Sequence, residues 1–469
     1  MTDLRARQRE QRQRKQPQRN QMHLAVHAPG AGSTTVWAGP RSGSHIDFSS
    51  FRHLAATAER GLFDFLLLAE GLRLPEHKGR IHDLDAVGRP EPITLLSALA
   101  AVTERIGLAA TADTTFHEPY ELARRLASLD HLSDGRAAWN VAASPSDAFT
   151  AENFRPGAAR LDRSEFPRVL DSARTEGTPL TRAAEFVATA RELWDSWTPG
   201  GVPRPFAHHG RHFSVSGTFD VARSPQGHPV VIQAGDSEEE RESAASAADV
   251  FFAGQPGQPG QSGPPEAWHA LSTDVKRRLA AYGRRPEDLK IMPGVTFALG
   301  DTDAEAQENA AEIRKQQVSP QGALFALEQV WGRDLSGYDP DGPLPGIDPD
   351  PAGEVAPGRA PVADPLAVAA RWRAVAEAKG LSIRQTVIET TGRQTFIGTP
   401  ASVAAQMDDF VTAGAADGFA LLPHHTPGGL DDFVDRVVPL LQERGAFRTE
   451  YAGATLREHL GLPLPVWKG

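Results

Sequence analysis

The sequence predicts an α/β fold, a closed (β/α)8 barrel with insertions. From Met22 onward, short apolar runs alternate with stretches of helical spacing about eight times. A strand followed by a helix, repeated in this way, indicates a parallel sheet. Eight units fit a closed barrel better than an open doubly wound sheet. The first predicted strand is not followed by a G-x-G-x-x-G sequence, which further disfavours a dinucleotide-binding Rossmann domain.

The predicted strands are short and apolar. The run from Leu62 to Ala69, bounded by Gly61 and Gly71, suits a strand that is covered on both faces of the sheet. The other predicted strands are Met22–His27, Ile106–Ala112, Arg136–Ala143, Val230–Ala234, Val250–Ala253, Leu289–Leu299 and Gly418–Leu422.

The predicted helices fill the intervals between these strands. Pro119 lies near the first turn of one of them, where its missing N–H is tolerated. The predicted helices are Phe48–Arg60, Ile93–Thr103, Pro119–Leu132, Arg182–Trp197, Glu238–Ala247, Ala304–Gln317 and Leu430–Glu443.

Residues 1–21 differ from the rest of the chain. They carry seven Arg or Lys and two Asp or Glu, a net charge of 7 − 2 = +5, and almost no apolar residues. Such a segment buries too little surface to offset its ordering entropy, so we expect a disordered basic tail; an arm for an anionic partner is the alternative. Residues 22–469 are expected to form a single barrel, with insertions near 145–181, 254–265 and 318–364.

The composition is ordinary for a globular protein and excludes several kinds of site. The 469 residues carry a net charge of −11 and no cysteine, which excludes disulfides, thiolate metal sites, iron–sulfur clusters and cysteine nucleophiles. The acidic balance argues against a nucleic-acid partner. The longest apolar runs are far shorter than the ~20 residues that a membrane-spanning helix needs. We therefore expect a soluble, cytoplasmic protein with neither a nucleic-acid nor a membrane partner.

Polar residues follow several predicted strands, where a barrel places its chemistry. They are His27, Glu70, residues 111–115, residues 140–144 and residues 235–237. Glu70 would be partly desolvated and could orient a polar ligand, although a salt-bridged rim residue is an equal alternative. Asn140 lies in an apolar run, where its buried amide must find partners in a ligand or, just as well, in the core.

Ser237 opens a predicted helix directly after a strand. Free backbone N–H groups and the Ser237 hydroxyl could receive an anion such as phosphate there. The same first turn carries Glu238, Glu239 and Glu240, which favour the helix dipole, so a simple N-cap is the strong alternative.

The histidines do not predict a metal site. Neither of the dense groups, His208-His209-x-x-His212 and His424-His425, is expected on a helical i, i+4 face with a matching carboxylate, as H-E-x-x-H would be. His27 and His117 are better candidates for acid/base or hydrogen-bonding roles toward a substrate, with a structural role as the alternative. No G-x-S-x-G nucleophile motif is present.

Several stretches together are specific enough to identify a resemblance. They are 22–25 (MHLA), 56–72 (ATAERGLFDFLLLAEGL), 91–108 (EPITLLSALAAVTERIGL), 119–141 (PYELARRLASLDHLSDGRAAWNV), 221–237 (VARSPQGHPVVIQAGDS), 415–424 (AADGFALLPH) and 447–462 (FRTEYAGATLREHLGL). In combination they resemble flavin-dependent monooxygenases of the nitrilotriacetate monooxygenase component A and dibenzothiophene sulfone monooxygenase type, within the bacterial luciferase-like superfamily.

This resemblance implies a TIM barrel that uses FMN, delivered in reduced form by a separate NAD(P)H-dependent flavin reductase, and O2 to oxygenate a small organic substrate. A homo-oligomer is expected as well, because oligomers are common in the family. Independently of the resemblance, His27 and His117 are the candidate catalytic residues, and the spacing of the histidines predicts no metal site. The residues that the resemblance places around the cofactor are Glu70, Thr111, Thr115, Asn140, Ala143, Ser144, Ser237 and Glu238.

Three positions depart from the family pattern. A His and a Tyr that usually precede the helix at Arg182 are replaced by Glu176 and Leu180, and a Gly of the phosphate loop is replaced by Glu240. The strand end that reads VVTS in relatives is VAAS at residues 141–144. Two alternatives therefore stand beside the monooxygenase: a flavin-poor barrel that acts as a partner subunit, and a deazaflavin-dependent oxidoreductase.

Overall fold

The computed structural model describes most of the chain. The described residues are 21–30, 34–36, 42–72, 76–77, 80–81, 89–143, 153, 179–253, 265–353, 362, 364–390 and 394–468. The predicted basic tail and the predicted insertions near 145–181 and 254–265 lie almost entirely outside these residues.

Eight parallel strands form a closed barrel, as the sequence predicts. They are β1 (His23–His27), β2 (Phe65–Leu68), β3 (Gly107–Asp113), β4 (Ala137–Ala142), β5 (Val230–Gly235), β6 (Val250–Ala253), β7 (Lys290–Ile291 and Gly294–Val295) and β8 (Gly418–Leu421). The two pieces of β7 close the ring, because the first pairs with β6 and the second with β8.

Helices cover the outside of the barrel and its insertions. Several begin with a side chain that caps the first turn, as Thr302, Ser319 and Thr399 do. The helices are α1 (Phe48–Arg60), α2 (Pro92–Ala100), α3 (Pro119–Leu132), α4 (Pro179–Asp195), α5 (Glu238–Ala247), α6 (Pro265–Leu279), α7 (Asp303–Gln317), α8 (Pro320–Trp331), α9 (Pro365–Lys379), α10 (Ile383–Thr390), α11 (Pro400–Thr412), α12 (Asp431–Arg436), α13 (Val438–Glu443) and α14 (Leu456–His459).

The barrel interior is apolar and is closed at its lower end by the C-terminal part of the chain. Inward residues of the strands, among them Phe65, Leu67 and Ile232, form one buried cluster with Leu456 and Leu460 of the α14 region. Because α14 fills the end at which the strands begin, ligands have access from the end at which the strands finish.

Six helices in the described part of the chain, α6, α8, α9, α10, α11 and α14, were not predicted, and the structure differs from the predicted elements in three further places. The predicted strand Leu289–Leu299 is divided into the two pieces of β7 and a third piece, Phe297–Leu299, which pairs with Phe396–Gly398 in a separate small sheet. Pro293, which has no N–H to donate, lies at the first break. The predicted helix Leu430–Glu443 is divided into α12 and α13 near Pro439.

The third difference is a hairpin that the sequence did not predict. Its antiparallel strands are Pro205–His209 and Ser214–Thr218, which lie largely exposed beyond α4. Among the described residues, no helix is both long and apolar enough to cross a membrane.

Candidate active site

Three of the predicted site residues lie at the mouth of the barrel. His27, Thr111 and Asn140 each stand two residues beyond an alanine of the barrel-interior cluster. Since side chains alternate along a strand, all three are directed toward the barrel axis. The strand ends therefore bring an imidazole, a hydroxyl and an amide to one opening.

His27 is neutral and presents one ring nitrogen as an acceptor. Burial lowers its pKa, and the positive charge of Arg89 adds to this effect, outweighing the opposing bond to Ala28. Its Nδ1 lies 2.9 Å from the carbonyl oxygen of Ala28, so Nδ1 carries the proton and donates it. The Nε2 atom of His27 is then an unprotonated base at the barrel mouth.

Thr111 and Asn140 form a pair across β3 and β4. Asn140 Nδ2 donates a hydrogen bond of 3.0 Å to Thr111 Oγ1. The Oδ1 atom of Asn140 is buried and has no hydrogen-bond partner among the described residues. A buried amide oxygen without a partner is costly, so this atom would accept a hydrogen bond from a bound ligand.

Glu70 and His117, which the sequence places 47 residues apart, meet at the rim. Glu70 Oε1 lies 2.9 Å from His117 Nε2, and Glu70 Oε2 accepts a hydrogen bond of 2.8 Å from the N–H of Asp113. The bond to Glu70 raises the pKa of His117 and outweighs burial, which lowers it. Both carboxylate oxygens of Glu70 thus bind the end of β3 and the turn that follows it.

Asp113 lies within the predicted stretch 111–115, but the sequence analysis gave it no role of its own. Its buried side chain accepts a hydrogen bond of 2.7 Å from the backbone N–H of Thr115, which fixes the turn that leads to His117. The available signal was its position two residues beyond Thr111 on the same strand face. Ala143 is partly buried just after β4, and Ser144 lies outside the described residues.

The N-terminus of α5 is capped by the chain itself. Ser237 Oγ accepts a hydrogen bond of 3.2 Å from the N–H of Glu240. In return, Glu240 Oε2 accepts hydrogen bonds of 3.0 Å each from the N–H groups of Asp236 and Ser237. This reciprocal arrangement is a capping box. The exposed carboxylate of Glu238 lies 3.3 Å from Arg278.

The barrel and its mouth can now be compared with known proteins. Residues 22–417 match the model of the family described as luciferase-like monooxygenase. The chain belongs to the luciferase-like monooxygenases. The predicted family, the TIM-barrel fold and the monooxygenase class of oxidoreductase are thereby confirmed.

Several luciferase-like monooxygenases resemble the chain over nearly its whole length. N-acetyl-S-(2-succino)cysteine monooxygenase of Bacillus subtilis (strain 168) is 38% identical over 471 residues, covering 96% of this chain and 98% of that protein. Nitrilotriacetate monooxygenase component A of Aminobacter aminovorans is 39% identical over 457 residues, covering 92% and 93%. A crystal structure of riboflavin lyase with modified FMN and riboflavin has a TM-score of 0.71 and 27% identity, covering 96% and 97%.

The two dense histidine groups make contacts within the protein. His208 lies between Glu185 and Glu192, at 3.4 and 3.0 Å, and ties the hairpin to α4. His424 Nδ1 lies 2.7 Å from the carbonyl oxygen of Thr34. Among the described residues, no group of three or more His, Asp or Glu side chains could hold a metal ion.

Proposed function

We propose that the chain is the oxygenase component of a two-component system that uses reduced FMN and O2 to oxygenate a small organic substrate. The observation that carries the proposal is the match of residues 22–417 to the luciferase-like monooxygenases, combined with Asn140 Oδ1 at the barrel mouth, which has no hydrogen-bond partner in the described part of the chain. Reduced FMN, when bound, supplies the electrons with which one oxygen atom of O2 enters the substrate and the other leaves as water.

The barrel mouth fits the ring system of FMN. The flavin ring carries an N–H donor, and Asn140 Oδ1 and His27 Nε2 are acceptors at the same opening. Thr111 holds the Asn140 amide in place through its hydroxyl. The phosphate of FMN has no comparable place at the N-terminus of α5, because Glu240 already binds the N–H groups there.

The chain's own residues then have distinct tasks. Asn140 orients the cofactor ring by accepting a hydrogen bond. His27, neutral because it is buried, accepts a proton or a hydrogen bond from the substrate at Nε2. Glu70 is a positioning residue, since its two oxygens hold His117 and the N–H of Asp113. The apolar interior below the mouth keeps water from the reacting atoms.

Arg89 makes an anionic substrate the favoured class. Its positive charge is close enough to His27 and His45 to lower the pKa of both, so it lies near the mouth beside the ends of β1 and β2. Two relatives are named for compounds that carry several carboxylates, nitrilotriacetate and N-acetyl-S-(2-succino)cysteine. The positive charge of a guanidinium beside the substrate base would attract such a carboxylate.

The test is a reconstitution with an NAD(P)H-dependent flavin reductase, FMN and 18O2. A panel contains carboxylate-bearing thioethers and amines together with neutral compounds of similar size. We expect one 18O atom in the product and preferential turnover of the carboxylate-bearing compounds. Bound flavin that consumes O2 to form hydrogen peroxide, with no 18O-labelled product from any compound, would contradict the proposal.

Asn140→Ala tests the assigned cofactor contact. Loss of one buried hydrogen bond is expected to weaken binding of reduced FMN about tenfold. Asn309→Ala is the matched control, since Asn309 is exposed and donates a hydrogen bond of 2.9 Å to Leu299 in the small separate sheet. If the two variants bind reduced FMN with equal affinity, the flavin ring does not contact Asn140.

A further inference from the structure

Glu240 occupies the position at which the N-terminus of α5 would otherwise receive an anion. Its Oε2 atom lies 3.0 Å from two backbone nitrogens, those of Asp236 and Ser237. Gly235 makes this conformation possible, because a Cβ atom added there would lie 2.4 Å from the Glu240 carboxyl group. The helix end is therefore satisfied by a carboxylate of its own chain.

Among the described residues, the neighbours of this carboxylate add negative charge, and two nearby arginines, Arg241 and Arg278, already bind other groups. Asp236, Glu238 and Glu239 are exposed neighbours in the same turn. Arg241 donates to the carbonyl oxygen of Asp236, at 2.8 Å from its Nη2 atom. Arg278 binds carboxylates of Glu242 and Asp274, at 2.7 and 3.0 Å, in addition to Glu238.

We infer that Glu240 is a specificity-determining residue that closes the N-terminus of α5 to phosphate, so that the chain binds flavin through its ring and does not select FMN over riboflavin there. The inference rests on the proposed flavin-dependent function. A phosphate dianion at this helix end would have to displace Glu240 and would then meet its carboxylate and those of Asp236, Glu238 and Glu239. Riboflavin, which has the same ring and no phosphate, meets no such opposition.

The experiment is a set of anaerobic titrations of the full-length chain with reduced FMN and with reduced riboflavin. The readout is the ratio of the two dissociation constants, which needs no substrate or turnover. We expect a ratio within about threefold of one for the wild type, and a shift of about tenfold in favour of FMN in Glu240→Gly. Glu240→Gln should give a smaller shift in the same direction, because its amide still fills the space but carries no charge.

Glu239→Gln is the matched control. Glu239 is exposed in the same turn, so this change removes one negative charge without opening the capping box. A shift of the ratio in Glu240→Gly that clearly exceeds the shift in Glu239→Gln supports the inference. Equal shifts in both variants would overturn it, because net charge rather than the position of Glu240 would then decide affinity.

The inference and the proposed function can fail separately. A wild-type chain that binds FMN much more tightly than riboflavin, with no change in Glu240→Gly, overturns the inference and leaves the monooxygenase intact. A chain that binds neither flavin, as wild type or as Glu240→Gly, overturns the proposed function and the inference with it. Circular dichroism and thermal unfolding of each variant verify that α5 and the barrel remain folded.

Discussion

Asp130 is a buried carboxyl group, and its replacement by Asn should remove a loss of folding stability that grows as the pH rises. It is fully buried near the N-terminal end of β4, where its Oδ1 atom accepts hydrogen bonds from Ala137 N–H, at 2.9 Å, and from Gln226 Nε2, at 2.6 Å. Burial raises the pKa of Asp130 to about 6, and this effect outweighs the hydrogen bonds, which lower it. The ionised form is thus disfavoured in the folded state.

The sign of the effect follows from the raised pKa. The stability contributed by Asp130 is fully present below its ordinary pKa of 3.8 and is lost as the pH rises through about 6. The rise of the pKa of Asp130 from 3.8 to about 6 corresponds to a loss of about 3 kcal/mol of unfolding free energy at neutral pH. Between about pH 5 and pH 7.5, roughly half of this amount, about 1.5 kcal/mol, is lost.

Asp130→Asn keeps an oxygen for Ala137 and Gln226 but cannot ionise. Its amide group adds a donor, whose cost does not depend on pH. The expected result is therefore a change with pH: relative to wild type, the variant gains about 1.5 kcal/mol of unfolding free energy between about pH 5 and pH 7.5. Urea unfolding curves at the two pH values measure this difference.

Asp134→Asn is the control for that experiment. Asp134 is exposed in the connection between β4 and α3, the helix that contains Asp130, and has a φ of 53°, which Asn also tolerates. It should show no comparable change with pH. If Asp130→Asn differs from wild type by the same free energy at both pH values, burial does not raise the pKa of Asp130 and the reasoning is wrong.

Two further predictions concern the buried and rim ion pairs. Arg448 and His23 both pair with the buried carboxylate of Asp64, and together they lower its pKa to about 2 against the opposing effect of burial. Arg448→Met should lower the free energy of unfolding by about 3–5 kcal/mol near neutral pH, as measured by urea unfolding. Adding Asp64→Asn should recover part of this loss, because the buried carboxylate is then removed. A double variant as unstable as the single one would show that the charge of Asp64 does not cause the loss. Wild type should lose the contribution of these pairs as the pH falls from about 4 to about 2. At the rim, Glu70→Gln should lower the pKa of His117, because the bond to the Glu70 carboxylate raises it. An NMR titration measures this pKa, and His117→Asn identifies the resonance. An unchanged pKa would show that Glu70 does not bind His117.

The barrel was predictable because its strands and helices are marked by apolar runs and helical spacing that can be read directly from the sequence. Strand β6 and helices α1, α3 and α5 have the predicted bounds, since apolar runs and helical spacing are local properties of the sequence. The hairpin at 205–218 escaped prediction because it lies mostly exposed outside the barrel, so burial imposes little hydrophobic pattern on it.

The sequence predicted where candidate site residues lie, but not which of their atoms are hydrogen-bonded within the protein. Strand ends indicated His27, Glu70 and Asn140, but they did not reveal which of these atoms are already paired within the protein. The bond between Glu70 and His117 joins residues from two different strand ends, and no local pattern encodes such a contact. The roles of the predicted residues toward a cofactor remain predictions.

The barrel mouth and the N-terminus of α5 differ in whether their polar atoms are already paired within the protein. At the barrel mouth, the fold brings together an imidazole whose Nδ1 already donates to Ala28 and an amide oxygen that has no partner within the described ranges, so a ligand would complete the hydrogen bonding. At α5, the reciprocal bonds of Ser237 and Glu240 complete the hydrogen bonding without a ligand. Because affinity comes from groups that water or the protein leaves unsatisfied, the ring end should dominate binding and the phosphate end should add little. An oxygenase that binds its flavin in this way would also release it readily, as exchange of flavin with a separate reductase requires.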